Sequence, residues 1–238
     1  KLLYLPTLYA HTNDWMTMKK TILVILSCFL WIFPTSAANH SLKFEDIPRV
    51  MERFFTFHIE NKELSPTIVR RSMKLYVEYF DPERAYLLEQ EVRPYLSMSD
   101  KRVKEVLGRL QNHDYSDFLA LNALMQESVM RAQAVRGFLA RQLVENTSES
   151  ESISFLTPNG YSQSDEELIQ RQRGRMLRFY SYHRVRTNLD APDRRARLYE
   201  LFEKKVQRLE NNYLFLSADD APMSRDRIEN LLTLRILK

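Results

Sequence analysis

Residues 65–95 read SPTIVRRSMKLYVEYFDPERAYLLEQEVRPY, and this stretch decides the fold class. Ser65-Pro66 is a helix start: serine suits the N-cap, and proline suits the first turn, where its missing N–H costs nothing. Ile68, Val69, Met73, Tyr76, Tyr79 and Phe80 then recur at helical spacing and place an apolar face on one side. Asp81-Pro82 repeats the start signal and leads into Tyr86, Leu87, Leu88 and Val92, with Pro94 expected to close that short helix.

The same grammar extends outward in both directions. Upstream, Phe44 to Glu60 carries Ile47, Val50, Met51, Phe54, Phe55 and Phe57 as a wide apolar stripe. Downstream, Ser99-Asp100 opens a helix through Val103, Val106, Leu107 and Leu110, and Asp114 or Ser116 caps a longer one running past Phe118, Leu121, Met125, Val129, Leu139 and Leu143. Gly137 inside it costs about 1 kcal/mol relative to alanine, which suggests close packing against a neighbour. Glu145 to Gln163 reads as a break, an acidic loop near 145–164 with the turn signal Pro158-Asn159-Gly160. Ser164-Asp165 caps a basic helix, Pro192 starts another with Leu198, Leu201, Phe202, Val206 and Leu209, 213–222 is irregular, and Ser224 opens a last one through Ile228, Leu231, Leu232, Leu234, Ile236 and Leu237. Only four glycines occur in 238 residues, too few for the turns of an all-β chain. The expected fold class is all-α.

The N-terminus has a different character. Lys19 and Lys20 precede an almost wholly apolar run, Thr21 to Phe33; Pro34 breaks it, and Thr35, Ser36, Ala37 and Ala38 follow. That order is what export machinery and a signal peptidase read. Met18 to Ala37 is therefore expected to be a signal peptide, with Met16 or Met18 as initiator, residues 1–37 outside the mature domain, and 38–238 as the helical domain of an exported, periplasmic protein. Two rivals are weaker. A membrane anchor needs roughly 20 apolar residues, and this run is shorter. Cys28 as a lipidated residue would be followed by Phe-Leu-Trp, which prolongs the apolar core instead of opening a polar chain. Setting the first 38 residues aside lowers the net charge from +4 to +2 and removes the only cysteine. Nucleic acid is then not an expected partner, no membrane span is expected after leader cleavage, and neither disulfides nor thiolate metal sites are available.

From His58 to Tyr95 the residues become specific: His58, Lys62, Leu64, Arg71, Tyr76, Phe80-Asp81-Pro82, Tyr86-Leu87-Leu88, Glu91-Val92 and Tyr95. In order and spacing this resembles the N-terminal helical region of the tail-specific proteases (C-terminal processing peptidases). Residues 97–238 are similar more loosely. The resemblance implies a complete protein that is an exported serine endopeptidase. It would recognise apolar C-terminal tails of protein substrates through a PDZ domain, cut with a serine–lysine dyad, and could engage an adaptor protein. The domain at hand would scaffold those parts. They would follow the last helix, which breaks off at Lys238 in mid-pattern and so reads as truncated.

No catalytic, cofactor-binding or metal-binding residue is expected within the chain itself. Ser72 and Lys74 lie two apart on a helix and face different ways. His11, His40, His58, His113 and His183 show no three- or four-residue metal spacing. His58 is expected to cap or pack the first interhelical turn, and Asp81 to be an N-cap, not an acid. The basic stretch Arg171 to Arg208 holds twelve Lys and Arg against four Asp and Glu, interleaved with Phe179, Tyr180, Tyr182 and Tyr199. It is expected to be a solvated face answering the acidic loop, with an anionic membrane surface as a lesser reading. A free-standing helical binding or adaptor module is the functional alternative.

Overall fold

The structure, a computed structural model, describes residues 41–145, 159–187 and 192–238; for 145, 184–187 and 192–194 only the backbone is described. The signal-peptide reading and most of the acidic loop lie outside these residues. Among them are eight α-helices and no strand beyond two isolated bridges. A single 3₁₀ turn, Phe44–Asp46, leads into α1 (Ile47–Phe57); then come α2 (Pro66–Phe80), α3 (Glu89–Leu96), α4 (Asp100–Gln111), α5 (Ser116–Glu145), α6 (Asp165–Thr187), α7 (Pro192–Leu214) and α8 (Arg225–Leu237).

Four of the helix starts use the same device. The hydroxyl oxygens of Ser65, Ser99, Ser164 and Ser224 accept from the backbone N–H groups of Ile68, Arg102, Glu167 and Arg227 at 3.3–3.4 Å. Each hydroxyl satisfies one of the N–H groups that a helix start leaves without an intrahelical acceptor. At α5 the cap comes from Asp114, whose Oδ1 accepts from Ser116 N at 2.9 Å. His113 at φ 60° turns the chain out of α4 just before it.

The 30-residue α5 is the spine. Its first half packs with α2, the following turn, α3 and α4 around Met73, Val77, Leu87, Val103, Leu121 and Met125. Its second half packs with α6 and α7 around Leu139, Leu143, Met176, Tyr199, Phe202 and Val206. α8 returns to the start of the domain, where Asn230 Oδ1 accepts from Leu42 N at 2.8 Å and Glu229 Oε1 from Phe44 N at 3.2 Å. Ser41–Lys238 accordingly forms one unit.

Several expectations are corrected. Asp81-Pro82 does not start a helix: Asp81 is the C-cap of α2, a turn follows, and α3 begins only at Glu89 behind Leu88. Pro94 lies inside α3. The carbonyl its ring deprives of a partner is that of Gln90, in a helix only eight residues long. The buried face of α2 is rotated from Tyr79 toward Val77; Tyr79 is exposed, with Lys238 Nζ 4.2 Å from its ring centroid. In α7, Leu198, Phe202 and Val206 are buried, whereas Leu201 and Leu209 face outward. A Cβ on Gly137 would meet nothing within 4 Å, so that glycine does not mark a close helix contact.

Candidate functional site

The turn after α2 is where the polar side chains of the domain converge. Asp81 is 1% exposed. Its Oδ1 accepts from Ala85 N at 2.7 Å, and its Oδ2 from Tyr86 N and Leu87 N at 2.9 and 3.0 Å. Arg84 sits at φ 52° to close the loop, with its N–H donating to Asp81 O at 3.1 Å. Burial pushes the Asp81 carboxyl above its ordinary value, against the pull of the three N–H donors and of Arg175. Ala85, Tyr86, Leu87 and Leu88 are all buried. Four consecutive apolar residues cannot share one helical face; each meets a different neighbour because the chain is non-helical here.

Three later helices hold this turn from outside. From α5, Arg131 donates to both Glu91 oxygens at 2.7 and 2.8 Å and to Tyr86 O at 2.9 Å. Glu91 in turn accepts from Leu88 N at 2.8 Å and so caps α3. Burial alone would raise the Glu91 carboxyl, but Arg131 and the Leu88 N–H outweigh it and hold it below its ordinary range. From α6, Arg171 donates to Arg84 O and Gly160 O, both at 2.8 Å, and Gln172 donates to Ala85 O. Arg175 pairs with Glu83 at 2.7 Å and lies over the Tyr86 ring at 5.2 Å. The strand-like edge of the turn is completed by Glu89 N donating to Ser162 O at 2.8 Å.

From α7 comes the deepest contact. Tyr86 Oη donates to Glu210 Oε1 at 2.7 Å, and Glu210 Oε2 accepts from Gln133 Nε2 at 3.0 Å and Arg136 Nη2 at 2.8 Å. Arg136 also clasps Glu203 through Nε and Nη2, both at 2.8 Å. Arg136 is 0% exposed and Glu210 2%. Burial would lower the Arg136 guanidinium, but its two carboxylate partners raise it further from neutrality. Burial pushes the Tyr86 phenol up to about 12, with Glu210 adding to the rise and Arg175 opposing it. This polar layer separates the two apolar clusters. Beside it, between α5 and α7, runs a groove of about 650 Å³ lined by Gln133, Arg136, Gly137, Ala140, Tyr199 and Glu203 among others.

The other sequence candidates fall as follows. His58 does cap: its Nδ1 accepts from Glu60 N at 3.1 Å and Asn61 N at 2.9 Å, and its ring packs on Phe54 at 5.1 Å. Asp81 organises a turn and is not an N-cap. Lys74 is an exposed partner of Glu78 at 3.7 Å, on the same helix as Ser72. The basic stretch is not simply a solvated face, because Arg171 and Arg175 turn inward onto the Asp81 turn. Sequence reasoning missed Arg131, Arg136, Gln172 and Glu210, whose partners lie 40 to 124 positions away. Among the described residues no group of three His, Cys, Asp or Glu could hold a metal ion.

A family model, the Tail specific protease N-terminal domain, matches residues 50–230. The chain belongs to this family. The match begins within α1 and ends within α8, so the N-terminal domain of the tail-specific proteases takes in the Asp81 turn and all three helices that hold it. No curated protein matched the chain.

Proposed function

We propose that residues 38–238 are the non-catalytic helical part of an exported serine endopeptidase that processes or degrades proteins from apolar C-terminal tails. Its work is to scaffold a PDZ domain and a catalytic domain and to engage substrate or an adaptor. The family match supports the assignment to this class of protease. The observation that carries the scaffolding role is the polar layer. Asp81, Glu91, Arg131, Arg136 and Glu210 are all engaged with other groups of the same domain, which rigidifies it and leaves those side chains committed to structure instead of chemistry.

The test is proteolysis of a protein ending in an unstructured apolar tail. The chain alone is expected to leave it intact, and the gene read on past the Lys238 codon is expected to encode a PDZ domain and a serine–lysine pair. Cleavage by the chain alone would overturn the non-catalytic reading. A stop codon at that point would favour the second reading, a free-standing binding module. That reading draws support from α8, where Leu232 is buried and Leu231 and Leu237 are half-buried within the domain, although Leu234 faces outward.

A further inference from the structure

The end of α1 and the turn after it carry the two most exposed large apolar side chains among the described residues. Phe54 is 57% exposed, Phe57 82% and Ile59 91%. The presentation is built. α8 grips the chain entering α1, and at the other end two bonds to His58 Nδ1 hold the turn that follows the helix, in which Ile59 is exposed.

We infer that this tip, Phe54, Phe57 and Ile59, inserts into the apolar margin of a lipid bilayer. The inference rests on the export reading above, which puts the chain at a membrane. Three observations favour lipid over a stable complex with a separate protein. The three side chains together expose on the order of 400 Å², about half of what each side of a stable protein interface contributes. A bilayer sets no such minimum and takes apolar side chains singly. The charges neighbouring the tip in sequence nearly balance, Glu52, Glu60 and Glu63 against Arg53 and Lys62, so apolar insertion and not attraction to anionic headgroups is the binding mode. The apolar run Thr21–Phe33 also ends only 14 positions before Ile47. Fully extended, that spans about 50 Å, so before leader cleavage α1 is held within reach of the membrane the leader enters.

The test uses the full chain with Trp15→Phe and Trp31→Phe, so that Phe57→Trp supplies its only indole. Vesicles are zwitterionic phosphatidylcholine, with or without brominated acyl chains. The Phe57→Trp indole is expected to shift to the blue and lose intensity to the brominated lipid, equally at low and high salt. A Leu209→Trp control, on an exposed position of α7, is expected to do neither. An unquenched Phe57→Trp indole, with the chain either bound to the vesicles or free, would overturn the inference. So would equal quenching at both positions, or a blue shift that needs only more protein and no vesicles. Failure of export is read separately, by fusing residues 1–40 to a reporter active only outside the cytoplasm, and leaves the vesicle result standing.

Discussion

Replacing Asp81 separates two accounts of the same residue. If Asp81 capped a helix start, Asp81→Asn would be nearly neutral, because Asn and Asp serve equally at that position, and Asp81→Ala would cost about 1 kcal/mol. The structure demands more. Three buried backbone N–H groups, those of Ala85, Tyr86 and Leu87, depend on the two carboxylate oxygens. A buried donor left without an acceptor costs about 1–3 kcal/mol. Three such losses, reduced by relaxation of the turn and by recovering the cost of burying the carboxylate, give about 4 kcal/mol for Asp81→Ala. Asp81→Asn keeps one acceptor oxygen and sets an NH₂ against the remaining N–H, so about 2 kcal/mol is expected. Urea unfolding followed by helical circular dichroism reads both. At a slope of about 2 kcal/mol per molar, the alanine variant's midpoint should fall by about 2 M and the asparagine variant's by about 1 M. A neutral Asp81→Asn with a small Asp81→Ala loss would refute the carboxylate-organised turn.

Other substitutions probe the layer around it. Glu91→Gln should be less stable than the parent at neutral pH; because the Glu91 carboxyl is held low in the fold, its contribution is present above the ordinary carboxylate value and is lost as pH falls through the folded value, so thermal midpoints measured down the acid range should converge. Arg136→Met should cost about 3–5 kcal/mol by leaving the Glu210 carboxylate buried and unpaired, and adding Glu210→Gln should recover part of that loss in a double-mutant cycle; additive losses would dissolve the pair. Gly137→Ala should raise stability by about 1 kcal/mol, since the new methyl meets open groove while the helix gains propensity; a lower melting temperature would show an unseen neighbour.

What the sequence made legible was what depends on nearby residues. Ser65, Ser99, Ser164 and Ser224 announce their helices because a cap is made within three positions. His58 could be placed for the same reason. The Asp81 turn misled because Asp-Pro is also a good helix opening. A counter-signal was present in Ala85-Tyr86-Leu87-Leu88, four apolar residues in a row with no helical periodicity. Arg136 could not be read at all. On a long α5 with as many acids as bases it looks like any surface arginine, and only the packing of α7, 67 to 74 positions later, supplies the carboxylates that let it be buried. The face of α1 was half legible: its apolar stripe is evident, but how little of it is covered depends on where α8 lands.

The Arg136 clasp also restricts how α7 can slide. Leucine, valine and methionine contacts tolerate repacking, so two apolar helices could settle at more than one offset with similar energies. Glu203 and Glu210 lie seven positions apart, two turns along one face, and both reach the same guanidinium. A shift by one turn, about 5.4 Å, would bring apolar side chains against a buried cation and strand the buried Glu210 carboxylate. The layer thereby selects a single offset for α7 on α5, and with it the position of Tyr86 and of α8 beyond. A variant with all three charges made apolar could fold tightly and still populate several helix offsets, a heterogeneity that would show as multiple methyl resonances for Met125 and Met176 and not as a lost melting transition.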